Sequence, residues 1–302
     1  AVDGKVNLLT TFDEDVKVDM GQPSKEAGTA ALKALDRAME DYKAGGYDVL
    51  VTAPINKNDI QSDGFRFCGH TEYIQEKVGE GKKALMILAG NSLRVALVTT
   101  HLPIAEVASA ITKDAIVEKC TIFNEALRRD FNVSAPRIAV LSLNPHAGDG
   151  GVIGNEEENV IKPALDELEA AGVKAFGPFA ADGFFGQGMY TAFDGVLAMY
   201  HDQGLAPFKT IVGGEGVNIT AGLPIVRTSP DHGTAYDIAG KGVADETSFR
   251  TAVYKAIDIF RNRINYDDPM QNPLQKLYHE RRDDSEKVRF AVPKKPKQTE
   301  QQ

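Results

Sequence analysis

Three of the chain's six histidines close short apolar runs. Val95-Ala96-Leu97-Val98-Thr99-Thr100 ends in His101, Ile138-Ala139-Val140-Leu141-Ser142-Leu143-Asn144-Pro145 in His146, and Gly195-Val196-Leu197-Ala198-Met199-Tyr200 in His201. Neutral imidazole is a common metal ligand, and three of them with one position left open make a catalytic rather than a structural site. A lone histidine at a strand end is more often a hydrogen-bonding residue, so the weight lies in the repetition. His70 and His232 sit in glycine-flanked loops, and His279 reads as simple surface in a charged tail.

Other loops add groups suited to anions. Thr52-Ala53-Pro54-Ile55-Asn56-Lys57 leaves an apolar segment through a proline turn that presents Asn56 and Lys57. Phe67-Cys68-Gly69-His70-Thr71-Glu72 offers an imidazole, a hydroxyl and a carboxylate near a predicted helix start, where free amides favour negative ligands. The glycine-rich stretch Asn144 to Gly151 is a weak phosphate-loop signal. Lys209, Asn218 and Arg227 supply two cations and an amide for a phosphate and a carboxylate. Solvated surface is the competing reading for each of these.

Such groups need rigid elements to aim them. The three histidine runs are short, aliphatic and without helical period, which predicts buried strands of a parallel sheet. Ligands of open α/β sheets bind beyond the carboxyl ends of the strands, where all three histidines then fall. Ser24 as N-cap and Gly45-Gly46 as stop bound a predicted helix with Ala27, Ala31, Leu35, Ala38, Met39 and Tyr42 at helical spacing. A strand follows at 48–52, then strands near 86–88 and 94–99, a helix over 113–129, a strand at 138–143, a helix over 156–171, a strand at 195–200 and a helix over 247–263. The alternation predicts an α/β fold with a largely parallel sheet. The prolines and lysines after Asp267 predict a charged, disordered tail over 267–302.

Composition narrows the function. The 302 residues, 42% hydrophobic and 25% charged, describe a soluble globular chain with core enough for two ordinary domains. A net charge of −9 opposes nucleic acid as a general partner, so an anionic substrate must meet a local basic cluster. Cys68 and Cys120 do not make a disulfide framework, and Cys68 reads as a small packed residue. With no span-length apolar segment and no signal-peptide order at Ala1 to Lys5, a cytoplasmic protein without a membrane partner is expected.

The motifs Gly69-His70-Thr71-Glu72, Thr99-Thr100-His101-Leu102-Pro103, Leu143-Asn144-Pro145-His146-Ala147-Gly148 and Met199-Tyr200-His201-Asp202-Gln203-Gly204 resemble the signature loops of the 4-hydroxythreonine-4-phosphate dehydrogenase family. Gly216-Val217-Asn218, Leu223-Pro224, Arg227-Thr228-Ser229 and His232 to Gly240 continue the match, from about Asp3 to Asn265. The resemblance implies two α/β/α domains around a cleft, as in isopropylmalate dehydrogenase. The first would combine 1–64 with 215–266 on the nucleotide side, and 65–214 would carry the metal and dimer side.

It also implies one divalent metal (zinc, magnesium or cobalt) on His101, His146 and His201, and substrate on His70, Thr71, Lys209, Asn218 and Arg227. NAD or NADP would lie near His232, Gly233 and Asp237. Lys209 and Asp202 are the implied catalytic residues, with Asp182 a weaker candidate and loop capping the alternative for both aspartates. The family is homodimeric with a shared site, so one chain should not complete it. The implied reaction is NAD(P)-dependent oxidation and decarboxylation of 4-phosphooxy-L-threonine to 3-amino-2-oxopropyl phosphate. The family's opening strand and Gly-Asp-x-x-Gly-x-Gly type loop are not found, so a chain lacking that segment is expected. Dehydrogenation of phosphorylated threonate, an inactive binding protein, or a metal aldolase or hydrolase remain as alternatives; only the nucleotide-like loop at His232 speaks against the last.

Overall fold

The apolar runs become strands of one sheet. In the structure, a computed structural model describing residues 2–12, 15, 16, 18–62 and 64–273, these are β1 (Val49–Val51), β2 (Leu85–Ala89), β3 (Arg94–Leu97), β4 (Ile138–Leu141), β5 (Ala175–Phe179), β6 (Gly195–Ala198), β7 (Val217–Ala221) and β8 (Val226–Pro230). Their order is β1-β8-β7-β2-β3-β6-β4-β5. The helices are α1 (Lys25–Lys43), α2 (His70–Val78), α3 (Ile104–Ala110), α4 (Lys113–Arg129), α5 (Lys162–Ala170), α6 (Ala181–Gly186), α7 (His201–Val212) and α8 (Thr247–Gln271).

Alternation along the strands shows why the runs are apolar throughout. Leu85, Ile87, Ala96, Ile138, Val140 and Leu197 face a core shared with α4, α5 and α8. Their neighbours Leu88, Val95, Leu97, Ala139, Leu141 and Val196 face the opposite core, built with α6 and α7. Both faces are covered, so neither can be polar. A third cluster packs α1 against α2 through Leu35, Met39, Phe65 and Tyr73.

The sheet is mixed rather than largely parallel. β3, β6, β4 and β5 run parallel, as do β1 and β8, but β2 is antiparallel to both its neighbours and β7 is antiparallel to β8. The reason lies in the connections. β2 turns directly into β3, with Gly90 N–H donating to Leu93 O at 2.9 Å, and only four residues separate β7 from β8. Short links join antiparallel strands, whereas parallel neighbours need a crossover.

Helix ends follow the capping chemistry. Ser24 Oγ accepts from Ala27 N–H at 3.1 Å to start α1, and α4 spans 113–129 with Ile116, Cys120, Phe123 and Leu127 buried. The expected helix over 156–171 opens with a π-turn at Glu157–Ile161 before α5. α8 continues past 266 to Gln271, so the tail expected from 267 starts too early. Arg129 grips Asp267 at 2.8 Å, and buried Arg263 binds Asp130 at 2.6 Å and the Pro224 carbonyl at 2.8 Å. His279 and the tail from 274 onward lie outside the described residues. Cys68 is exposed rather than packed; Cys120 is buried, its thiol pushed up to about 12 by desolvation. Among the described residues no helix is long and apolar enough to cross a membrane.

Candidate active site

Strands β3, β6 and β4 are parallel neighbours, so His101, His146 and His201 all follow the same edge of the sheet. Side chains lock those strand ends together. Thr99 Oγ1 donates to Met199 O at 2.7 Å, while Gln203 accepts from Met199 N–H at 2.7 Å and donates to Ser142 O at 2.6 Å. His201 is the first residue of α7, which lies flat on β3 because a Cβ on Gly204 would meet Leu97 and Val95 at 2.8 Å.

The edge opens into a cleft of about 320 Å³. His101 and His201 face each other across it with ring centroids 6.2 Å apart. Each ring has a carboxylate at Nδ1: Asp202 Oδ1 lies 2.7 Å from His201 Nδ1, and Glu72 Oε1 lies 3.8 Å from His101 Nδ1. A carboxylate at Nδ1 selects the tautomer that frees Nε2 as a donor to a metal, the arrangement usual for metal-binding histidine. Lys57 Nζ occupies that side of His101, 3.3 Å from Nε2. His146 is not brought to the pair. It lines a separate cavity with Asp182 and Asp202, and among the described residues no group of three histidine, cysteine or acidic side chains is placed to hold a metal. His101 and His201 are thus the two imidazoles that the structure brings together, and His146 stands apart from them.

His146 is shaped by its backbone. Residues 146–150 run through consecutive positive φ, with His146 at 53° and Ala147 at 52°, conformations that L side chains adopt reluctantly. Buried Glu157 holds this turn from beneath, accepting from the Leu143 and Asn144 amides at 2.9 and 2.7 Å. The glycine-rich stretch, expected as a weak phosphate-loop signal, is a left-handed turn.

The residues expected to meet an anionic substrate share the histidine cleft. His70 and Thr71 open α2, Lys209 stands on α7, Asn218 on β7 and Arg227 on β8, and all line it. Arg227 is not solvated surface: it is only 3% exposed, donating to Thr52 Oγ1 at 2.7 Å and Thr220 Oγ1 at 3.3 Å. Desolvation lowers the guanidinium to about 10 against the opposing pull of Glu72. Burial, then Arg227 and Lys57, lower His70 to about 3, so its ring is uncharged across the physiological range. The His101 imidazole beside Glu72 holds that carboxyl below its usual range, outweighing burial.

Glu72, Lys57 and Asp231 were not picked out as site residues in the sequence, although Glu72 and Lys57 stand in motifs quoted there. Asp231 lies 3.5 Å from the Lys209 ammonium, its carboxyl raised by burial with Lys209 only partly opposing. Its place beside His232 was the available signal.

His232 and Gly233 line both this cleft and an adjoining groove of about 560 Å³, walled by Gly28, Pro54, Ile55, Ala235 and Tyr236. Apolar and glycine-rich walls suit the flat face of a nucleotide, so the groove is compatible with a nicotinamide cofactor. Asp237 is exposed and is not among the lining residues.

Comparison with known proteins matches the arrangement. The family described as pyridoxal phosphate biosynthetic protein PdxA matches residues 2–256. A 4-hydroxythreonine-4-phosphate dehydrogenase of Bacteroides thetaiotaomicron is 60% identical over 286 residues, covering 95% of this chain and 79% of that protein. The crystal structure of the Klebsiella pneumoniae 4-hydroxythreonine-4-phosphate dehydrogenase superposes with a TM-score of 0.70 at 37% identity, covering 80% of this chain and 73% of the other. That of a Burkholderia phymatum 4-hydroxythreonine-4-phosphate dehydrogenase gives 0.66 at 39% identity, with coverage of 82% and 74%. The ordered motifs, the mixed α/β sheet and the matched span agree: the chain belongs to the PdxA family of pyridoxal phosphate biosynthetic proteins.

Proposed function

We propose that the chain oxidises 4-phosphooxy-L-threonine with NAD or NADP and decarboxylates the resulting β-keto acid, giving 3-amino-2-oxopropyl phosphate for pyridoxal phosphate biosynthesis. One observation carries the reading beyond family membership. Two carboxylate-backed imidazoles share a cleft with a buried guanidinium and two ammonium groups, beside a glycine-rich groove.

The cations divide the work. Arg227, rigid on β8, and Lys209 on α7 meet the phosphate and carboxylate, with Asn218 adding an amide. His70, held neutral, can donate and accept hydrogen bonds at the phosphate end without repelling Arg227, and the α2 amides beside Thr71 favour the same anion. Asp202 orients His201 through Nδ1, and Lys209 with Asp231 forms the proton-transfer pair at the substrate's alcohol oxygen. A divalent metal on His101 and His201 would supply Lewis-acid polarisation of that oxygen. The nicotinamide, placed along His232 and Gly233, would accept the hydride.

His146 follows the same sheet edge but lines a different cavity, which supports a homodimer in which it completes the partner copy's metal site. The two lobes around the cleft are proposed as 1–64 with 215–266 and 65–214. A cytoplasmic setting belongs to the same reading. The test is nicotinamide reduction by the metal-loaded protein on 4-phosphooxy-L-threonine, with carbon dioxide release measured in parallel. Matched reduction and release are expected; reduction without release, or neither, would overturn the reading.

A further inference from the structure

Among the described residues three buried side-chain oxygens lack a hydrogen-bond partner, and two of them, Glu72 Oε2 and Asn218 Oδ1, belong to residues lining the histidine cleft. Both are acceptors, and a buried acceptor without a donor is costly. Glu72 is one of two carboxylates on the cleft wall. The other, Asp231, already faces the Lys209 ammonium at 3.5 Å. Glu72 divides its oxygens: Oε1 faces His101 Nδ1 at 3.8 Å, while Oε2 is closed off from solvent and unmatched. The remaining charged groups there, Lys57, Lys209 and Arg227, are cations that suit phosphate and carboxylate.

We propose that Glu72 Oε2, with Asn218 Oδ1, forms an ammonium-recognising subsite that makes the cleft select a phosphorylated amino acid over the matching hydroxy acid. This rests on the proposed substrate, whose ammonium is on the carbon next to the one oxidised. Glu72 and Asn218 both line the cleft that holds His101, and Glu72 reaches that ring through its other oxygen, Oε1. An ammonium brings positive charge and three donors, enough for both acceptors. A hydroxyl in the same place brings one donor and no charge, leaving one acceptor unmet. Sites built around buried hydrogen bonds reject ligands lacking the matching group strongly.

The test compares 4-phosphooxy-L-threonine with phosphorylated threonate on the unaltered protein and on Glu72→Gln, Glu72→Asp and Asn218→Ala. Binding is read by calorimetry with zinc and without nicotinamide, alongside metal content and kcat/KM. The unaltered protein should prefer the amine compound, and Glu72→Gln should cut that preference about tenfold or more while affinity for the threonate compound changes less than about threefold. Glu72→Asp, which keeps the charge, should restore part of the preference. If Glu72→Gln does not fold, Glu72→Asp carries the same comparison, with a smaller loss of preference expected. Equal losses for both compounds, or loss of zinc with the substitution, would overturn the subsite and leave Glu72 as a support for His101. Failure of the unaltered protein to turn over either compound would instead count against the dehydrogenase reading, while the binding ratio still decides the subsite.

Discussion

His101 and His201 reach the cleft from adjacent parallel strands, and each has one nitrogen turned to a carboxylate. His101→Ala or His201→Ala should therefore lower metal affinity at least about tenfold and remove turnover, checked by elemental analysis beside nicotinamide reduction. Asp202→Asn keeps the fold but weakens the hold on His201 and should cost about 10–100-fold in metal affinity or activity. His70 gives a prediction about pH. Its folded value of about 3 lies below the ordinary 6.5, so the unfolded chain binds the proton first as pH falls. Stability then declines on acidification between these values, by about 1–2 kcal/mol from pH 6.5 to pH 5. His70→Asn should flatten that part of the denaturation profile. An unchanged slope would mean the ring is not shielded from solvent as described.

The loop carrying His146 depends on a helix it does not belong to. Glu157, in the π-turn before α5, accepts from the Leu143 and Asn144 amides and from Asn144 Nδ2. Glu157→Gln keeps one oxygen for the two backbone amides but sets its NH2 against Asn144 Nδ2, and should destabilise the protein by about 1–2 kcal/mol, read as a shift in the denaturation midpoint. No sequence pattern announces this contact, because the partners are thirteen and fourteen residues apart and the glutamate looks like any other in an acidic helix. Local features were legible: the Ser24 cap, the α4 stripe of Ile116, Cys120, Phe123 and Leu127, and the runs that became β3, β4 and β6. α7 was not, since Pro207 and Gly204 obscure its period, nor was β5, whose Gly177 and Pro178 break the usual strand signature. The convergence of His70, Lys209, Asn218 and Arg227 with the two histidines depended on matched motifs rather than on spacing, because the chain meets there from four separate elements and the loop after β3. Glu72 stayed hidden because only three dimensions reveal an acceptor without a donor.

The proposed division of the site between two copies predicts a signature at the scale of the whole molecule. Inactive His101→Ala and His146→Ala proteins, mixed and allowed to exchange subunits, should recover about one quarter of unaltered activity, since half the dimers are hybrids and each hybrid keeps one intact site. His101→Ala mixed with His201→Ala should recover none, and recovery there or silence in the first mixture would contradict the sharing. The seam between β2 and β7 bears on something else, how the protein can be taken apart. Those strands pair over five residues, from Leu85 opposite Ala221 to Ala89 opposite Val217. One strand lies in 65–214 and the other in the returning segment, so hydrogen bonds of one ladder stitch the two stretches together. Excising 65–214 would uncover β2 as a bare edge of mostly buried aliphatic residues, a template for pairing with other chains. The stretch 65–214 should thus aggregate when expressed alone. The piece is therefore not a portable module.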